Sequence, residues 1–329
     1  MALHSVVLCP GQGAQAVGMG SAWHETSAES REVFAQADRV LAGRLGQSLE
    51  SLCFDGPLER LNQTDVSQAA IYVTSVACWR GLLARAGHRP LDVPAAAAGL
   101  SLGEYSALHI AGAMTFEDGL ELVTLRGRAM QDAADALVGS ESSGGGRGGM
   151  VALIGATDEQ AMEVCQQARE QDVLVCANFN APGQVVLSGH AAACERAAAA
   201  AVGMGLRSAM LAVAGAFHSP LMAPAAARLG EALAKTPFSP LRCPVMSNVT
   251  AQPHAMADAE SIRRLLVEQL THPVRWSQSC AYLAANAGAF ESEAGAGGPA
   301  FIELAPGRTL MGLMRRIDKS IKVIPHDTP

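Results

Sequence analysis

Short apolar runs alternate with longer amphipathic stretches along this chain. Positions 5–9 (Ser-Val-Val-Leu-Cys) are continuously apolar after the first residue and stop at Pro10-Gly11, the pattern of a buried strand. Apolar residues at helical spacing predict helices over 27–41 and 68–86. A second apolar run over 95–100 ends at Ser101, and helices are expected over 103–111 and 115–137. Strand, Gly-flanked turn, helix, repeated in this way, is the signature of an α/β fold with a mostly parallel sheet.

The rhythm changes near the middle. Residues 139–149 (Gly-Ser-Glu-Ser-Ser-Gly-Gly-Gly-Arg-Gly-Gly) are of low complexity and read as a linker or surface loop. Strand-like runs follow at 151–154, 173–178, 184–188 and 207–213. Helix-like segments lie between them at 158–170, with Thr157 as cap, and at 191–202. The order β-α-β-β-α-β is that of a ferredoxin-like unit. We therefore expect a small subdomain over 150–213 inserted into a larger, discontinuous α/β domain of 1–149 and 214–329. The larger domain resumes with helices at 220–236, 259–270, 277–286 and 309–317. Its later strands are expected at 244–247 and 301–304, with a Gly/Ala-rich loop at 287–299. No internal repeat is visible.

Composition narrows the function. The chain has 329 residues, long enough for a large core that splits into lobes. Hydrophobic residues are 49% and charged residues 17%, which excludes a disordered chain. A formal charge of −7 argues against a nucleic-acid partner. No apolar run reaches the ~18 residues of a membrane span. The N-terminus lacks a basic segment and a cleavage-type ending, so a secretory signal is not expected. The eight cysteines form no CxxC pair; we expect neither a zinc site nor a disulfide framework, and a reducing compartment.

The strongest chemical signal is Gly99-Leu100-Ser101-Leu102-Gly103, a GxSxG pentapeptide between a strand and a helix. That context suits a nucleophile elbow, with the Leu102 N–H facing the reacting carbonyl; the plain alternative is a βα turn with a cap serine. A serine hydroxyl needs a base. Among nine histidines, His218 lies in a strand-end loop before a helix, where catalytic groups concentrate; His109 is expected to face away or pack. Asp118, Asp132, Asp135, Asp158 and Asp172 lie between Ser101 and His218, none at an evident strand end, so a full Ser-Asp-His triad is not supported. Gly11-Gln12-Gly13-Ala14-Gln15 fails the GxGxxG dinucleotide pattern, because position 16 is alanine. Its loop instead suits backbone N–H groups facing an oxyanion. Arg126, on an apolar-striped helix, reads either as a snorkelling side chain or as a bidentate clamp on a carboxylate.

These segments together resemble one family. The Gly11–Gln15 and Gly99–Tyr105 segments, Leu125-Arg126-Gly127, the Asn178–Gln184 segment, Gly215-Ala216-Phe217-His218-Ser219, Ser247-Asn248-Val249, Pro273-Val274-Arg275-Trp276 and Pro306-Gly307 occur in this order in malonyl-CoA:acyl-carrier-protein transacylases. The resemblance covers nearly the whole chain. It implies a hydrolase-like α/β domain with an inserted ferredoxin-like subdomain. It also implies transfer of malonyl from malonyl-CoA to the phosphopantetheine thiol of acyl carrier protein, for fatty-acid synthesis, by a monomer with no cofactor and no metal. Ser101 would be the acylated nucleophile and His218 its base. Gln269 would orient His218 through its backbone carbonyl, Gln12 and Leu102 would supply the oxyanion N–H groups, and Arg126 would clamp the malonyl carboxylate. Asn178 resembles a pocket residue near the thioester. One departure is Leu100, where many members have histidine; leucine occurs in plastid-type members. This residue and the Gly/Ser-rich insert favour the plastid stroma, transit peptide removed, over a bacterial cytoplasm. The Gly-Ala-Phe before His218 resembles malonyl-selective members. Since carrier proteins are generally acidic, docking requires a local basic patch, for which Arg207, Lys235, Arg275, Arg315 and Arg316 are candidates. Other readings are a discrete polyketide-synthase acyltransferase, a serine esterase or thioesterase, and, last, a non-catalytic carrier-binding scaffold.

Overall fold

The computed structural model describes residues 5–88, 92–138, 147–290 and 299–329. Its elements run β1 (Ser5–Cys9), α1 (Ser21–Thr26), α2 (Ala28–Leu41), α3 (Leu49–Phe54), α4 (Leu58–Leu61), α5 (Thr64–Arg85), β2 (Ala96–Gly99), α6 (Gly103–Ile110) and α7 (Phe116–Val138). There follow β3 (Gly148–Ile154), α8 (Asp158–Arg169), β4 (Leu174–Ala181), β5 (Gln184–His190), α9 (Ala191–Gly203) and β6 (Arg207–Met210). The chain closes with α10 (Ala223–Lys235), α11 (Ala259–Glu268), α12 (Trp276–Ala285), β7 (Ala300–Leu304), α13 (Thr309–Ile317) and β8 (Val323–His326).

Two sheets organise the molecule. The first is parallel throughout, in the order β2-β1-β7-β8. β1 and β2 are apolar on both faces for a reason visible in their alternation. Val7, Cys9 and Ala97 join the core cluster beneath α2, α5, α6 and α7, whereas Val6, Leu8, Ala96 and Ala98 face a second cluster built from α12 and α13. A sheet covered on both faces must read as continuous hydrophobic runs. The alanines of β2 leave room for close packing of α6. Nearly all of α5 is buried, which explains why it lacks a polar stripe.

The second sheet is antiparallel, in the order β4-β5-β3-β6, which is the ferredoxin-like arrangement of its β-α-β-β-α-β segment. Val151 and Leu153 face α8 and α9 in a third cluster. Met150 and Ala152 face the opposite way and join the main core, so this sheet is packed against the larger lobe. Thr157 caps α8 in a reciprocal capping box with Gln160.

Several expectations shift. The 244–247 run is not a strand of the sheet; only Val245 forms a single parallel bridge to Ala97, because Pro244 removes a donor at this edge. The expected loop of 139–149 gives way to strand at Gly148, where glycine is needed: a Cβ there would meet Ala216 N at 2.6 Å. Residues 139–146 and 291–298, the rest of the two Gly-rich loops, lie outside the described residues. The 220–236 segment splits into a 3-10 turn at Pro220–Met222 and then α10. β6 stops at Met210 rather than 213, and β4 continues through Ala181 with register shifts, narrowing the turn to Pro182-Gly183. α1, α3, α4 and β8 were not expected. Among the described residues no helix is long and apolar enough to cross a membrane.

Candidate active site

The carboxyl ends of β1 and β2 define the site, as ligand crevices in open α/β sheets do. β2 ends at Gly99, and the chain reverses into α6 within three residues. Both flanking glycines are dictated by contact. A Cβ on Gly99 would lie 1.8 Å from the Gly103 carbonyl carbon, and one on Gly103 would lie 2.2 Å from Cys9 O. Between them Ser101 adopts φ 52°, a left-handed conformation that costs a non-glycine residue about 1–3 kcal/mol. Asn248 holds this turn: its Oδ1 accepts from Ser101 N at 2.6 Å, and its Nδ2 donates to Gly99 O at 2.7 Å.

Ser101 Oγ is 2.8 Å from His218 Nε2. His218, also left-handed at φ 57°, precedes the turn capped by Ser219. Its Nδ1 lies 2.7 Å from Gln269 O. A carbonyl can only accept, so Nδ1 carries the proton and Nε2 is left free to accept from serine. Burial pushes the His218 pKa down to about 4, reinforced by the Arg126 charge and opposed by the Gln269 carbonyl. None of the five aspartates considered from sequence touches His218. Asp132 pairs with Arg128 and Arg228, Asp172 with His190 and Arg196, and Asp118 accepts from Thr115 Oγ1 in the first turn of α7. Asp135 accepts from Gln131, and Asp158 opens α8. His109 packs as expected, its ring edge-on to Tyr72 and Phe116.

Arg126 is 1% exposed on α7. Its Nη2 donates to Ser101 Oγ and to Gln269 Oε1, both at 3.0 Å, and its Nη1 donates to Gln68 Oε1 at 2.8 Å. The guanidinium lies 5.5 Å from the Tyr105 ring centroid. Burial lowers its pKa, yet an arginine remains cationic. Three acceptors and an aromatic face are the surroundings a buried cation needs. Its Nε is buried and has no acceptor among the described residues.

A cavity of about 350 Å³ opens in front of these groups, lined by Gln12, Leu100, Ser101, Asn178, Phe217 and His218 among others. Arg126 is not among the lining residues, but its Nη2 reaches Ser101 Oγ, which is. Among the described residues, neither Gln12 N nor Leu102 N donates to a protein acceptor. Asn178 sits on β4, at the bridge to Val274, so the antiparallel sheet forms the far wall. The structure thus brings Ser101, His218, Gln269, Arg126, Gln12, Leu102 and Asn178 together.

Four further residues belong to this arrangement and were given no role from sequence: Gln68, Asn248, Glu104 and His254. Gln68 is a fully buried amide on α5, a helix that also buries Thr64, Ser67, Thr74 and Ser75. Asn248, Glu104 and His254 are joined only by tertiary contacts across about 150 residues of chain. Of the basic candidates, Arg315 and Arg316 sit together with Lys319 around a groove beside Pro182, whereas Arg207, Lys235 and Arg275 lie apart on other elements. Among the described residues no group of His, Cys, Asp and Glu is arranged to hold a metal ion.

Residues 6–316 match the acyl transferase domain family. The malonyl CoA-acyl carrier protein transacylase of Salmonella typhimurium is 40% identical over 309 residues, 94% of this chain and 91% of the relative. The crystal structure of a malonyl-CoA:acyl carrier protein transacylase from Xanthomonas oryzae pv. oryzae superposes with a TM-score of 0.86 at 40% identity, covering 99% of this chain and 95% of that one. A malonyl-transacylase in complex with its type II polyketide synthase acyl-carrier protein matches with a TM-score of 0.86 at 34% identity, covering 99% and 96%.

Proposed function

The chain belongs to the acyl transferase family, and from that premise we propose that it transfers malonyl from malonyl-CoA to the phosphopantetheine thiol of acyl carrier protein. One observation carries the reading: Ser101 Oγ lies within hydrogen-bond reach of both a neutral, oriented imidazole and a buried guanidinium. A nucleophile needs the first; only an acyl group bearing a carboxylate needs the second.

The reaction proceeds in two halves. Ser101 Oγ attacks the thioester carbonyl while its proton passes to His218 Nε2. The tetrahedral oxyanion is held by the free N–H groups of Gln12 and Leu102, each such donor being worth about 2.7–4 kcal/mol. The C–S bond breaks, and the departing CoA sulfur takes the proton from His218. The carrier thiol then gives its proton to His218, attacks the malonyl-serine, and Ser101 leaves with that proton restored. A neutral carbonyl at Gln269 fixes the imidazole tautomer in place of a buried aspartate. The malonyl carboxylate meets Arg126, whose unpartnered Nε–H is a donor awaiting an acceptor. Asn178 contacts the acyl or pantetheine portion from the far wall.

The two sheets support a division into a discontinuous catalytic domain, 1–149 and 214–329, and an inserted ferredoxin-like subdomain, 150–213. The cleft between them is where the substrate lies. The protein acts as a monomer, without nucleic acid or membrane. The relatives named above with an organism are bacterial, which supports a bacterial cytoplasm; they lend no support to the plastid stroma expected from Leu100. Fatty-acid synthesis is the setting of the proposed reaction, and a polyketide carrier is a second one, because a structural relative is paired with such a carrier. A serine thioesterase would have no use for Arg126.

Incubation with malonyl-CoA, digestion and mass spectrometry test the reading. A malonyl adduct on the peptide containing Ser101, discharged on adding holo carrier protein, is expected. An adduct on another residue, or release of free malonate in place of transfer, overturns it.

A further inference from the structure

Behind the reacting groups lies a buried carboxylate that takes no part in the steps above. Glu104, on the first turn of α6, is 1% exposed. Its Oε2 accepts from Gln269 Nε2 at 2.7 Å and from Asn248 N at 3.1 Å, and its Oε1 lies 2.7 Å from His254 Nε2. His254 is 4% exposed, lies outside the cavity wall, and its Nδ1 has no partner among the described residues. Its Nε2 faces a carboxylate, which only accepts, so Nε2 carries the proton that is donated. His254 therefore donates to Glu104 and fixes its rotamer.

The consequence passes through the Gln269 amide. That amide accepts from Arg126 Nη2 through Oε1 and donates through Nε2 to both Glu104 Oε2 and Ser101 O, the latter at 3.0 Å. Flipped by 180°, it would set NH₂ against the guanidinium and oxygen against a carboxylate and a carbonyl. Glu104, together with Ser101 O, thus holds the amide so that its oxygen is the end Arg126 meets. The same residue's backbone carbonyl orients His218. Through Asn248, whose side chain holds Ser101 N, the same carboxylate also steadies the elbow.

We propose that Glu104, held by His254, is a positioning residue that sets the Gln269 amide and thereby aligns the Arg126 carboxylate clamp with the Ser101–His218 pair. The proposal rests on the malonyl-transfer reading. Disturbance of the elbow slows every acyl donor alike, whereas disturbance of the clamp penalises only malonyl. The ratio of kcat/KM for malonyl-CoA to that for acetyl-CoA therefore isolates the clamp.

That ratio is measured for Glu104→Ala, Glu104→Gln, His254→Leu and His254→Gln, each alone and combined with Gln269→Ala, which keeps the backbone carbonyl. Glu104→Ala and His254→Leu are expected to lower the ratio about tenfold or more, the range of one lost charge-assisted hydrogen bond. His254→Gln, which keeps a donor at the Nε2 position, is expected to restore most of it, and Glu104→Gln, whose oxygen still accepts from Gln269 but whose NH₂ opposes the His254 Nε2–H, only part of it. In the Gln269→Ala background none of the four should change the ratio further. An equal loss for both donors, or an undiminished effect without the Gln269 side chain, overturns the proposal. Should Glu104→Ala fail to fold, the two His254 variants decide alone. A wild-type protein that shows no malonyl preference refutes the transfer reading instead.

Discussion

At the scale of the residue, Arg126 acts on two properties at once. Its guanidinium is the proposed carboxylate receptor, and its charge is one reason why the His218 pKa falls to about 4, after burial. The ordinary imidazole value is near 6.5. A lowered value keeps the base neutral, and therefore competent, down to mildly acidic pH. The sign for stability follows: between pH 6.5 and 4 the unfolded chain binds a proton at this histidine that the native protein refuses, so this residue withdraws stability as the pH falls. For reactivity, the acid limb of Ser101 labelling by a fluorophosphonate probe should lie near pH 4 in the wild-type protein. In Arg126→Ala the repulsive cation is gone, and the limb should move up toward 6.5. The same variant should lose malonyl transfer about ten- to hundredfold more than acetyl transfer, since a charge-assisted hydrogen bond contributes about 1.5–3 kcal/mol. A limb that stays in place would mean that burial alone sets the base. Equal loss for both acyl donors would remove the clamp from the mechanism.

The elbow is a property of elements rather than of one side chain. α6 approaches β1 so closely that Gly103 has no room for a Cβ, Cys9 O being 2.2 Å from where it would stand. Gly103→Ala must push the helix away from the strand and with it the Leu102 N–H. We expect a loss of about 1–3 kcal/mol in urea denaturation together with a large fall in Ser101 acylation. Gly312, in α13, has nothing within 4 Å of its absent Cβ. Gly312→Ala should stabilise by about 0.5–1 kcal/mol, as expected for a freely accommodated helical alanine. The contrast explains what was legible in the sequence. Gly99, Ser101 and Gly103 carry a local backbone requirement, and local requirements leave local motifs. The β-α-β-β-α-β segment was readable for the same reason, since its alternation is periodic. The 244–247 run was not: an apolar tetrapeptide beside a proline does not reveal whether a sheet edge is there to receive it. Gln269 drew attention only through family resemblance, because a backbone carbonyl has no residue-type signature. Glu104 and His254, about 150 residues apart, became partners only when α6 was laid against the 244–254 segment.

The whole molecule must also receive a macromolecule. With a formal charge of −7 it repels an acidic carrier at a distance, so productive encounter depends on where its cations are gathered. Several are spent: Arg44, Arg60, Arg128, Arg196 and Arg228 are paired with carboxylates. Arg315, Arg316 and Lys319 are exposed and have no carboxylate partner among the described residues. They flank a groove of about 520 Å³ beside Pro182, in the turn that follows β4, the strand carrying Asn178. Loading from malonyl-CoA and unloading onto the carrier are separate half-reactions, which makes the idea measurable. The double variant Arg315→Glu, Arg316→Glu should raise KM for holo carrier protein about tenfold or more at low ionic strength and slow Ser101 loading far less. The difference should shrink as salt rises, because surface charges are screened beyond about 8 Å at physiological ionic strength. Equal damage to both half-reactions would assign the groove to the phosphates of CoA. Parallel charge reversals at Arg207, Lys235 and Arg275, which stand apart on the surface, should each change KM for the carrier by less than the Arg315 and Arg316 pair, since clustered cations, not total charge, set the approach of an acidic partner to an acidic enzyme.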